Sequence, residues 1–116
     1  MIEVVYATRD IVARMQDGAR HTQRAVAVMD GDTVLGVGGV RVEGERLVMF
    51  AEISDALRAN KRALVRGMRA LMKLANRGIQ VQAAADPDIE GSDRLLAHMG
   101  FEHAQDEVWV WQPGYR

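Results

Sequence analysis

The stretch LRANKRALVRGMRAL, Leu57 to Leu71, decides how this chain is read. Before it runs RLVMFAEIS (46–54), apolar and β-branched enough for a strand, and from about 59 to 77 the spacing predicts a helix. In that helix Leu64, Met68, Leu71, Met72 and Ala75 recur on one face, while Arg62, Arg66, Arg69, Lys73 and Arg77 line another side. A strand giving way to a helix is a natural place to hold an anion, because the first amides of a helix are unpaired and its dipole is positive there. Such cradles use glycine so that backbone and phosphate approach closely. Here the first glycine, Gly67, lies well inside the helix, and the turn itself carries Arg58, Lys61 and Arg62. Either charge replaces glycine in a phosphate cradle, or this is only a solvated basic helix start.

The chain's 116 residues, 48% of them apolar, predict one globular domain over residues 1–116. The absence of cysteine excludes disulfides, a thiolate nucleophile and a cysteine metal site. Glu3 sits where a signal peptide would be positive, and no apolar run reaches the roughly 18 residues of a membrane span, so a cytoplasmic protein is expected. The net charge of −1 conceals an uneven distribution. Residues 58–77 hold basic residues and no acid, whereas 86–93 hold Asp86, Asp88, Glu90 and Asp93 and no base.

Upstream, MIEVVYAT (1–8) reads as a strand, and Asp10 is expected to cap a short helix, IVARMQDGA, ended by Gly18. RAVAVMD (24–30), TVLGVGGVRV (33–42) and the 46–54 strand, separated by turns at 31–32 and 43–45, make an antiparallel meander. Gly36, Gly38 and Gly39 suggest a bulge or a close backbone approach, and no helix opens after them as a dinucleotide fingerprint requires. Gly78 is expected to cap the long helix, before a strand at 79–85, a helix at 91–99 stopped by Gly100, and two closing strands, FEHA and EVWVWQ. The order β-α-β-β-β-α-β-α-β-β predicts an α/β (α+β) fold, a mixed and mostly antiparallel sheet flanked by helices. The helix between the 46–54 and 79–85 strands allows those two to lie parallel.

Three stretches make this order resemble the GNAT (Gcn5-related N-acetyltransferase) superfamily. ISDALRANKRA (53–63) is similar to its Q/R-x-x-G-x-G/A element, with Arg58 first, Ala63 last, Lys61 at the central glycine position and Asp55 where proline is common. SDRLLAHMGF (92–101) resembles its Leu-rich helix closing on L-G-F, and DGDTVLGVGGV (30–40) its second and third strands. The resemblance implies acyl-coenzyme A-dependent transfer of an acetyl group to an amine, with acetyl-coenzyme A as substrate and no metal. It places Ile53, Arg58, Asn60, Lys61, Arg62 and Ala63 around the coenzyme pyrophosphate, and Glu52 as the general base. On strict alternation Glu52 shares a face with Val48, Phe50 and Ser54, and a carboxylate among apolar neighbours would be tuned towards base work. The family's tyrosine general acid would fall at Leu96, which cannot donate a proton, and its asparagine at Ile89.

The loop's departures also resemble the compact GNAT-like proteins of bacteriophages and prophages, so the alternative is a non-catalytic module binding a partner protein in a virion. The implied partners are a small-molecule or protein amine acceptor, a homodimer mate or such a virion protein. A nucleic-acid partner is disfavoured, because no aromatic side chain interrupts the basic helix to stack bases. His21, His98 and His103 have no partners at metal-ligand spacing and read as surface residues. Trp109 and Trp111 share a strand face that suits core or dimer packing, with an acceptor-pocket wall as the other reading.

Overall fold

Gly31 and Gly44, at φ 58° and 63°, each open a two-residue loop between strands. Tight hairpin loops need that left-handed backbone, and glycine adopts it without steric cost. The loops join β2 (Thr22–Asp30), β3 (Thr33–Glu43) and β4 (Arg46–Ile53) into the expected meander. The computed structural model describes residues 1–14, 22–76, 80–84 and 91–111. The other strands are β1 (Ile2–Tyr6), β5 (Val81–Ala84), β6 (Glu102–Gln105) and β7 (Val108–Trp111). The helices are α1 (Arg9–Ala13), α2 (Asp55–Ala59), α3 (Lys61–Ala75) and α4 (Ser92–His98). The strands form one sheet in the order β1-β2-β3-β4-β5-β7-β6. Among the described pairs only β4 and β5 run parallel, as the intervening helix allows.

Two helix boundaries differ from the sequence expectation, and capping explains both. Thr8, not Asp10, caps α1: its hydroxyl accepts from the Ile11 amide at 3.3 Å, which leaves Asp10 in the first turn. The helix expected from about 59 starts at Lys61 instead, and a separate short helix, α2, precedes it, the two divided at Asn60, whose φ of −107° and ψ of 85° are not helical. Ser54 caps α2 through the Leu57 amide at 3.2 Å, and Asn60 caps α3 through the Ala63 amide at 3.1 Å. The apolar spacing from Leu64 onward carried no trace of the upstream pair of caps. Gly18, His21, Arg77, Gly78 and Ile89 lie outside the described residues.

The meander separates two packed layers. Val26, Val40 and Met49 cluster with Leu71, Leu74 and Ala75 of α3, whereas their chain neighbours Ala25 and Phe50 cluster with Val12 of α1. Neighbours in a strand point to opposite faces, so α3 covers one side of the sheet and α1 the other. Leu96 of α4, Phe101 and both tryptophans join the α3-side cluster, which makes Trp109 and Trp111 packing residues. Gly67 now has a reason. A Cβ there would stand 2.8 Å from Val28 Cγ2 of β2, so glycine lets α3 lie close against the sheet. The strand glycines supply both expected features. The β2–β3 register shifts between Val28 and Met29, and a Cβ on Gly39 would meet the Arg24 carbonyl oxygen at 2.4 Å.

Because that oxygen is backbone, it cannot swing aside. Gly39→Ala should therefore destabilise by about 1–3 kcal/mol, as other overpacked core sites do, with a Tm loss of several degrees. Urea unfolding followed by tryptophan fluorescence measures it, and an unchanged midpoint would show that the two strands separate freely.

Candidate functional site

β4 and β5 share a ladder only at Leu47↔Val81 and Val48↔Gln82, although β4 continues to Ile53. From Met49 onward β4 has no described partner on its β5 side, while Ala83 and Ala84 keep only the pairing with Trp109 and Val108 of β7 on the other edge of β5. The two strands thus splay towards the end where Ser54 sits, and the gap is a notch edged by backbone. Ser54 anchors the β4 side of it, donating its amide to the Leu35 carbonyl at 3.0 Å.

The notch opens into a cavity of about 650 Å³. Met68 and Leu71 of α3 and Leu95, Leu96 and Met99 of α4 line its apolar wall, with Met49, Ala51 and Ile53 on the strand side. Glu52 and Arg58 also line it, so the structure brings these two expected site residues together with Ile53. Glu52 is exposed rather than surrounded by apolar groups, and no described β5 residue pairs beside it. Leu96, the residue at the tyrosine position, is 8% exposed and shared between the core and the cavity wall.

The remaining expected residues gather at the start of α3. Arg58 lies in the last turn of α2 instead of on a loop; Lys61 and Arg62 open α3, and all three side chains are exposed. Ala63 is buried, with its amide taken by Asn60, and the Leu64 amide binds the Asn60 carbonyl at 3.0 Å. That leaves the Lys61 and Arg62 amides without a partner among the described residues. No acid occupies the first turn of α3, and no described carboxylate pairs with Arg58, Lys61 or Arg62. The helix dipole, two free amides and three cations therefore act together on any anion placed there. A glycine cradle would bring phosphate against the backbone alone; here the exposed side chains add charge around the same amides.

Two other cavity residues were not anticipated, Arg41 of β3 and Glu107 in the β6–β7 turn. Arg41 was legible in part, since alternation along VGGVRV puts it two residues from Gly39 on one strand face. Glu107 was not, because its position depends on how β7 pairs with β5. His103 donates through Nε2 to the Asp106 carbonyl at 2.7 Å and packs its ring 5.1 Å from Trp109, so it steadies a turn; His98 is exposed. Among the described residues no group of His, Asp and Glu could hold a metal ion.

Solved structures with the same architecture match along nearly the whole chain. A GNAT-family acetyltransferase of Staphylococcus aureus Mu50 superposes with a TM-score of 0.63 at 7% identity, covering 97% of this chain and 99% of its own. The fold is that of the GNAT acetyltransferases. A candidate N-acetyltransferase of E. coli, YhhK, solved with coenzyme A, gives 0.57 at 13% identity over 97% and 98% of the two chains. AtaTR, solved with acetyl-coenzyme A, gives 0.60 at 13% identity over 96% and 93%. No family model matches the sequence, and no curated protein matches it. The GNAT likeness is one of shape rather than of sequence, at 7% to 13% identity.

Asn60 holds the two helices at their junction. Asn60→Ala should cost about 1 kcal/mol, the usual loss for an N-cap, and fray the first turn of α3. Amide hydrogen exchange at Ala63 is the test: exchange unaltered from the parent would mean that the cap does not fix this turn.

Proposed function

We propose that the protein is an acyl-coenzyme A-dependent N-acyltransferase that transfers an acetyl group to an amine. The single observation that carries this reading is the adjacency of two features: a notch whose β4 edge has no described partner and, between the cavity-lining residues Arg58 and Leu64, a cationic helix start with two unpartnered amides. An extended thioester ending in a pyrophosphate matches both. Its arm needs a slot with hydrogen-bonding walls, and its phosphates need amides and positive charge. Coenzyme A and acetyl-coenzyme A in two neighbours of the same fold support the choice of ligand.

Arg58, Lys61 and Arg62 would hold the pyrophosphate with the Lys61 and Arg62 amides, and Asn60 and Ala63 fix the geometry of that turn. Ile53 ends the strand at the point where the arm enters. The bound thioester supplies an activated carbonyl and a fair leaving group. Glu52, on the cavity rim, takes the amine proton directly or through water, which frees the nitrogen lone pair for attack. The C–N bond forms, the C–S bond breaks, and the sulfur leaves with its electron pair. Amides of β4 beyond Val48 that face away from β3 donate to the carbonyl oxygen as negative charge develops there. Leucine at 96 gives the departing thiolate no proton, so water must protonate it, and the rate should be lower by about 10²–10⁴-fold than with a positioned acid.

Two measurements check this. Calorimetric titration with coenzyme A should give a saturable heat that Arg58→Glu combined with Lys61→Glu abolishes; both side chains are exposed, so the fold should survive. No heat from the parent protein at millimolar coenzyme A would remove the transferase reading. In a thioester-cleavage assay with a panel of amines, Glu52→Gln should lower kcat at least tenfold. An unchanged kcat would reject Glu52 as the base.

A further inference from the structure

Arg41 is the cation in the cavity that the transferase reading does not use. Its Cα stands opposite Val48, the last β4 residue paired with β5, so it marks the closed end of the notch. Its guanidinium lies 5.4 Å from the centre of the Phe50 ring, and the side chain is 24% exposed. Glu43 Oε1 approaches Nε at 3.0 Å, yet Nε is buried and without a well-formed hydrogen bond. The Nη atoms have no partner among the described residues, and those are the fork that grips a carboxylate bidentately. A half-buried cation that lines a cavity, braced on an aromatic face and with its Nη atoms unpartnered among the described residues, is a receptor for an anion.

Alternation then says where that anion stands relative to the chemistry. Arg41, opposite Val48, shares a sheet face with Val48, Phe50 and Glu52, the face covered by α1. Glu52 lies two residues beyond Phe50, or about 7 Å along the strand at the usual rise. Glu52 and the guanidinium thus flank Phe50 on that sheet face, and both residues line the cavity. An acceptor that puts its amine at Glu52 and extends across Phe50 brings its other end to Arg41.

We propose that the acceptor is a small amino acid, its carboxylate held by Arg41 and its amine presented at Glu52. This rests on the transferase reading for the role of the site, but the carboxylate pocket can be tested without turnover. Titrations of N-acetyl-β-alanine and of its carboxylate-free match, N-ethylacetamide, would be followed at the Arg41 Nε–H resonance in ¹⁵N spectra. The acid should bind at least tenfold more tightly and shift that resonance. Arg41→Met, which retains bulk over Phe50, should erase the preference, and Arg41→Lys should restore only part of it because lysine lacks the fork. Thermal melts of both variants establish that they are folded. Equal affinity for the two ligands, or a preference that persists in Arg41→Met, would overturn the proposal. A separate coenzyme A titration distinguishes the two claims: carboxylate binding without coenzyme A binding would sink the transferase reading and leave the pocket standing.

Discussion

The structure depends on a parallel pair of strands that stops pairing too early. β4 and β5 meet at two positions and then part, although β4 continues for five more residues. Backbone N–H and C=O groups that leave a ladder need other partners, and leaving them buried and unpaired costs about as much as a lost hydrogen bond. The fold turns that debt into a site. β7 pairs along the far edge of β5, and beyond Val48 the β4 edge has no described strand partner and faces a cavity where water or a ligand can meet its amides.

Everything near the splay serves to hold it open. Ser54 bonds back to Leu35 with its amide and caps α2 with its hydroxyl, so β4 ends at a fixed point. α2 then occupies the space between strand and long helix, burying Leu57 against Val28 and Ala63. Asn60 breaks the chain's helical path and restarts it, which sets the first amides of α3 at the mouth of the notch. Gly67 lets α3 lie close to β2, so the whole assembly is referenced to the rigid meander.

Much of this was legible in the sequence. Alternation in 24–54, the glycine turns and the apolar stripe of α3 all report local periodicities, and with the need for a long connection between parallel strands they gave the meander and the parallel β4–β5 pair, though not the place of β7 between β5 and β6. What stayed hidden depends on competition between neighbours. Thr8 outcompetes Asp10 as a cap, and Asn60 divides two helices upstream of Leu64, where the apolar spacing has not yet begun. The surroundings of Glu52 were misread because alternation names the residues on a strand face but cannot say that the neighbouring strand departs. Arg41 was overlooked because a charged residue ending a glycine-rich strand looks solvated until Phe50 is placed beneath it.

The central claim is that the unpaired edge of β4 and the start of α3 form one continuous ligand site. Backbone amide shifts in ¹⁵N spectra on addition of coenzyme A test it most directly. The account predicts that Lys61, Arg62 and residues from Met49 to Ile53 shift together, with one saturation constant, while β1 and β2 stay still. Shifts confined to the α3 start would mean that the basic turn binds any phosphate and the notch is mere architecture, which would contradict the account.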